Sequence, residues 1–168
     1  MIVIRNGPGC LPAELRIPTD GEMRDLGRRL ASVLQAGDLV ILAGPLGAGK
    51  TTLVQGIGEG LGVRGPVTSP TFVIARVHPA LSGPGPSLVH ADAYRLGSIG
   101  EVDDLDLDTD AAGAVTVVEW GAGLADVLAE DRLEITIEPD RDGDARTVRI
   151  NTHGARWNGA LTGAADRL

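Results

Sequence analysis

Gly44-Pro45-Leu46-Gly47-Ala48-Gly49-Lys50-Thr51 is a full match to the phosphate-binding pattern G-x-x-x-x-G-K-[ST]. Lys50 is the only lysine of the chain, where the other strongly basic side chains are all arginine. A compact ammonium is thus kept at the one place where a point charge has to fit between phosphate oxygens. Working outward, the run Asp38-Leu39-Val40-Ile41-Leu42-Ala43, bounded by Gly37 and Gly44, reads as a buried parallel strand. On the other side Thr52-Leu53-Val54-Gln55-Gly56-Ile57 reads as a helix closed by Gly60 and Gly62. Strand, glycine-rich turn and helix come in the order a phosphate cradle needs. Backbone N–H groups and the helix dipole attract the anion, Lys50 neutralises it, and the Thr51 hydroxyl is offered to a divalent cation. The alternative is an ordinary glycine-rich turn with a solvent-facing lysine.

Composition bounds the rest. A length of 168 residues suits one domain with a real core. Apolar residues make up 43% and aromatics only 2%, so the core is built from Val, Leu, Ile and Ala, as in a sheet covered by helices. A formal net charge of −8 argues against a broad basic surface for DNA or RNA. Cys10 is alone, which excludes an internal disulfide and a cysteine-based zinc site and fits the cytosol. Met1-Ile2-Val3-Ile4 is cut short by Arg5-Asn6-Gly7, well before a signal-peptide core. There is no uninterrupted apolar run of about 18 residues, so a soluble, cytoplasmic protein without a membrane span is expected.

Thr19-Asp20-Gly21-Glu22 has the form of a capping box. Met23, Leu26, Leu30, Val33 and Leu34 follow at helical spacing, with Gly37 as the stop. After the second helix, Arg64 to Thr71 is a proline-stiffened loop, and Phe72 to His78 a strand. Pro79 to Ser87 reads as a flexible hairpin link to a strand over Leu88–Asp92. Ser98 to Asp110 is an acidic stretch of short helices or turns, Ala114 to Glu119 a strand, and Leu124 to Leu128 a short helix. Leu133–Ile137 and Thr147–Ile150 alternate in period two around the turn signal Asp142-Gly143. The expected fold is α/β: a single P-loop NTPase domain over residues 1–152, its mixed, mainly parallel sheet flanked by helices and ending in an antiparallel edge hairpin. Residues 153–168 read as a loosely held tail or short helix.

A triphosphate site needs a carboxylate at a neighbouring strand tip, opposite the Thr51 hydroxyl. Asp92 and Glu119 both end apolar strands and both qualify, each with a plain strand-end acid as its alternative. Thr68, Ser69 and Thr71 place hydroxyls in the loop after the phosphate-binding helix, where γ-phosphate sensors lie, or else simply form a turn. Arg76 and Arg95 could contact phosphates, with a solvated or salt-bridged surface arginine as the favoured alternative, and His90 reads as structural rather than catalytic.

Gly44 to Thr52, Thr68-Ser69-Pro70-Thr71-Phe72, His90-x-Asp92-x-Tyr94-Arg95-Leu96 and Val118-Glu119-Trp120 together resemble the TsaE family, formerly YjeE. It comprises bacterial ATPases of tRNA threonylcarbamoyladenosine biosynthesis, and the resemblance runs from about Leu15 to Ile150. It implies ATP and Mg²⁺ as ligands, with Gly47, Ala48, Gly49, Lys50, Thr51 and Thr52 around the phosphates. It also implies Thr51, Glu119 and Asp92 at the metal, Lys50, Glu119 and Asp92 in catalysis, and a switch-like loop at Thr68, Ser69 and Thr71. Trp120 would lie beside the nucleotide and Thr19 near the adenine. The TsaB and TsaD proteins are the implied partners, with tRNA contacted indirectly through them. Ala91, Ala93 and Gly121 depart from the family's usual larger residues and proline, which bears on local packing while every polar group stays in place.

The resemblance implies a weak ATPase that is gated by its partners and resets the TsaB–TsaD pair between cycles. A small-metabolite kinase is the rival reading. It would need an arginine-rich lid, and Pro79 to Ser87 contains no arginine. A guanine-specific switch lacks its Asn-Lys-x-Asp, since Lys50 is already used.

Overall fold

The computed structural model describes residues 13–69, 75–92, 113–119 and 130–158. The strand before the glycine-rich loop, β2 (Leu39–Ala43), lies in the middle of a seven-stranded sheet. The other strands are β1 (Ala13–Ile17), β3 (Ala75–His78), β4 (Ser87–Asp92), β5 (Ala114–Glu119), β6 (Arg132–Pro139) and β7 (Arg146–His153). Their spatial order is β1-β7-β6-β2-β5-β4-β3. β2 pairs in parallel with β5 and β6, and β5 in parallel with β4. β3, β7 and β1 add antiparallel pairings at the two edges. The mixed, centrally parallel sheet expected from the sequence is therefore present, with its hairpin of β6 and β7.

Val40, Ile41 and Leu42 are all buried, as two-faced burial of a central parallel strand requires. On one face, Val40, Leu42, Leu88, Val115, Val117, Leu133 and Ile135 join a single apolar core with Met23, Leu26 and Leu30 of α1 (Asp20–Ala31) and Leu53, Val54 and Ile57 of α2 (Lys50–Leu61). The two helices cross almost backbone to backbone. A Cβ at Gly27 would meet the Ile57 nitrogen at 2.7 Å, and one at Gly60 the Arg28 carbonyl oxygen at 2.9 Å.

Several boundaries differ from the sequence reading. β1 was not expected: Leu15 and Ile17 turn inward while Glu14 and Arg16 face out, an alternation too short to stand out. α1 stops at Ala31, six residues before Gly37, because the Ser32 N–H and hydroxyl both turn back onto the Arg29 carbonyl, at 3.1 and 2.7 Å. Gly37, at φ +90°, leads instead into β2. Gly60 lies inside α2, and Gly62, at φ +69°, ends it, with the Val63 N–H reaching the Gly58 carbonyl at 3.1 Å.

The β3–β4 hairpin forms as expected, yet its link is tied down. The Arg64 N–H donates to the Pro79 carbonyl at 2.8 Å and the Leu81 N–H to the Gly62 carbonyl at 2.9 Å. β7 runs on to His153, and a 3-10 turn (Ala155–Trp157) seats Trp157 in the core. There Arg156 forks onto buried Asp38, with Nε–Oδ1 of 2.9 Å and Nη2–Oδ2 of 2.8 Å. Over 153–158, then, where a loosely held tail or short helix was expected, the chain forms a short 3-10 turn and is packed. The first part of the expected 72–78 strand, the short helices or turns expected over 98–110 and the helix expected over 124–128 lie outside the described residues.

Candidate functional site

The loop leaves β2 at Gly44, whose φ of +155° and close approach to the Ile137 carbonyl leave no space for a side chain. Gly49, at φ +106°, is the N-cap of α2 and presents no side chain of its own to the helix end. The first turn of α2 carries no acidic residue, so its positive dipole end is not locally neutralised. Thr51 and Thr52 sit half-buried in that turn, and Ala48 is fully buried.

Lys50 is only 6% exposed, and its Nζ donates to the carbonyls of Gly44 (2.8 Å) and Pro45 (3.0 Å), closing the ammonium over its own loop. Burial pulls its pKa below the usual lysine value, while the nearby charges of Glu119 and Asp92 work in the opposite direction. Both acids therefore lie within electrostatic range of the same ammonium. They are register partners at the C-terminal ends of the parallel strands β5 and β4, the edge where ligands bind in such sheets. Glu119 is 5% exposed and accepts from His90 Nε2 at 2.7 Å.

Thr19 caps α1 through one of the two bonds of a capping box, with Glu22 returning to the Thr19 hydroxyl. Its Oγ1 accepts from the Glu22 N–H at 3.2 Å and its hydroxyl donates to Glu22 Oε2 at 2.9 Å. Buried Met23, one turn on, packs within 3.6 Å of the place a Gly49 Cβ would occupy, so the start of α1 adjoins the loop. Thr68 is exposed and accepts from Arg76 Nη1 at 3.1 Å, and Ser69 is half-buried. The base of this segment is held by Gln55, whose Nε2 donates to the Val67 carbonyl at 3.1 Å while its Oε1 accepts from Arg24 at 2.8 Å. Thr71, Arg95 and Trp120 lie outside the described residues.

Sequence reasoning missed Arg146 of β7. Its Nε stands 3.6 Å from the same Gly49 position, and its guanidinium bridges Asp20 at the start of α1 (3.0 Å) and the Asp144 carbonyl (2.8 Å). Its only local signal is a place at the start of an alternating strand, which does not separate it from any surface arginine. His90 was read as structural, and nothing local announces its bond to Glu119.

A central parallel sheet with a G-x-x-x-x-G-K-T loop between β2 and the bare N-terminus of α2 defines a P-loop domain of the NTPase class. A family model described as "Threonylcarbamoyl adenosine biosynthesis protein TsaE" matches residues 17–148. The chain belongs to the TsaE family. A Streptomyces coelicolor protein described as tRNA threonylcarbamoyladenosine biosynthesis protein TsaE is 60% identical over 139 residues, 80% of this chain and 93% of that protein. A Mycobacterium leprae protein of the same description is 53% identical over 127 residues, 72% and 79% of the two chains. The crystal structure of Bacillus subtilis YdiB superposes with a TM-score of 0.75 at 28% identity, covering 99% of this chain and 97% of that one. Among the described residues no helix is long and apolar enough to cross a membrane.

Proposed function

We propose that this chain acts in tRNA threonylcarbamoyladenosine biosynthesis as a cytoplasmic, Mg²⁺-dependent ATPase that serves the TsaB–TsaD pair and resets it between cycles. The observation that carries the reading is that Glu119 and Asp92, register partners at the ends of β5 and β4, both lie close enough to Lys50 for their charges to act on it. The residues fit the ligands: the loop backbone and the uncapped end of α2 suit a polyphosphate, and a hydroxyl with two carboxylates suits a hard cation. Bound Mg²⁺ supplies neutralisation of phosphate charge.

Everything else falls to the chain. Lys50 exchanges the Gly44 and Pro45 carbonyls for phosphate oxygens and stabilises charge that develops during transfer to water. Thr51, Glu119 and Asp92 hold the cation and orient the attacking water, while Gly47, Ala48, Gly49 and Thr52 surround the phosphates. Thr19, Met23 and Arg146 border the loop where the rest of the nucleotide would extend, with Trp120 beside it by family likeness. Thr68, Ser69 and Thr71 form the segment that a partner completes, so hydrolysis by the isolated chain is slow. With a net charge of −8 the protein contacts other proteins and leaves tRNA to them.

The test is ATP hydrolysis by wild-type and Lys50→Ala protein, alone and with the TsaB–TsaD pair and tRNA. Slow turnover that the pair accelerates and the substitution abolishes supports the reading. Fast partner-free turnover, or phosphate transfer to a metabolite with no response to the pair, overturns it in favour of a kinase.

A further inference from the structure

The imidazole of His90 is fully buried on β4, two residues before Asp92 and on the same face of the sheet as Glu119. The other inward positions around it, Leu88, Val115 and Val117, are apolar, so His90 departs from the core's own rule. Its presence has a cost, because among the described residues its buried Nδ1 has no hydrogen-bond partner. What the residue gains is directional: Nε2 lies 2.7 Å from Oε1 of Glu119. A carboxylate can only accept, so Nε2 carries the proton of this bond.

We propose that His90 is a positioning residue that fixes the Glu119 carboxylate, occupying one oxygen so that Glu119 meets the cation and Lys50 in a single orientation. The inference rests on the ATP·Mg²⁺ reading of the site. Partners of this kind, which orient a metal ligand without touching the metal, typically change metal affinity by about 10–100-fold when removed. A histidine kept only to fill space would carry no such selectivity.

The test compares the full-length wild type with His90→Leu, His90→Gln and His90→Asn. The Gln amide reaches about as far as Nε2 and keeps a donor, whereas the Asn amide is polar but falls short. Two quantities are read: the Glu119 side chain in nucleotide-free crystal structures, and the affinity for a fluorescent non-hydrolysable ATP analogue in Mg²⁺ and in EDTA. The expected result is a displaced Glu119 carboxylate in the Leu and Asn variants. In both, affinity in Mg²⁺ falls by about tenfold or more while affinity in EDTA is unchanged, and Gln restores the wild-type pattern. Should the Leu variant not fold, the Gln and Asn pair carries the comparison. Glu119 unmoved in the Leu or Asn structure, or affinity falling equally in Mg²⁺ and EDTA, overturns the proposal. A wild type that binds no analogue in either condition overturns the ATP reading instead, and the crystal structures still decide what His90 does to Glu119.

Discussion

Gly56 of α2 faces the carbonyl oxygen of Arg24 in α1 so closely that a Cβ at Gly56 would lie inside that oxygen's contact radius. The obstacle is backbone, so no side chain can swing away, and the two helices would have to move apart. Gly56→Ala is expected to lower stability by about 2–3 kcal/mol despite alanine's better helix propensity. Gly21→Ala is the control. Its Cβ would sit at an ordinary 3.7 Å from Thr19 Oγ1, and the change should be neutral or stabilising, by up to about 1 kcal/mol. Urea unfolding of the pair gives opposite signs if close helix approach governs, and the same sign if propensity does.

Arg156→Ala should cost about 2–3 kcal/mol. It removes the countercharge of the Asp38 carboxylate, whose side chain is 5% exposed and which keeps the Gln35 N–H at 2.8 Å, although Arg156 itself keeps some water contact. Arg156→Lys should recover only part, since an ammonium cannot fork onto both oxygens. Thermal melts of the three proteins, with alanine lowest, lysine intermediate and wild type highest, check this. Equal melting temperatures would remove the 3-10 turn from the stability of the fold.

Gln55→Leu removes the amide that holds the Val67 carbonyl. The loss is expected to be about 1 kcal/mol. Hydrogen exchange of the amides over 67–69 should speed up, while that of β2 and β5 stays at the wild-type rate. Unchanged exchange at Thr68 and Ser69 would mean that Gln55 does not anchor the segment.

His78 gives a pH dependence. Burial holds its pKa below the usual 6.5, with the charge of Arg76 adding to the effect, and among the described residues its buried Nε2 has no hydrogen-bond partner. Below 6.5 the unfolded chain therefore binds a proton that the folded chain resists, and stability falls as pH drops toward the folded value. The contribution is fully present above 6.5. Unfolding free energies of wild type and His78→Leu, followed from pH 7.5 downward, should converge or cross as the wild type loses stability faster. Parallel curves would show that His78 titrates normally.

Thr19→Ala removes the cap of α1 and is expected to cost about 1 kcal/mol. Glu22→Gln, which keeps an acceptor for the Thr19 hydroxyl, should cost less. Denaturant midpoints read both.

Much of this molecule is written locally. The glycine-rich loop, its strand and its helix are legible because each depends on neighbouring residues: conformations at positive φ at Gly47 and Gly49, an apolar run for β2, a bare helix start at Lys50. The Thr19–Glu22 cap and the turn at Asp142-Gly143 are visible for the same reason. β1 and the end of α1 were misread because a five-residue strand has too few alternations to register, and a serine folding onto its own helix ends it without a glycine.

By itself, then, the sequence determined where the phosphate-binding pattern lies, which two acids stand at strand ends, and the α/β class, since backbone geometry and side-chain periodicity act over a few residues. Only the tertiary structure decided that Asp92 and Glu119 are neighbours within electrostatic range of Lys50, that His90 bonds Glu119 across 29 residues, that Arg156 reaches Asp38 across 118, and that Arg146 borders Gly49. Those pairings follow from the order β6-β2-β5-β4 at the centre of the sheet. Strand order is set by burying all the apolar faces at once, a condition that no local stretch of chain carries.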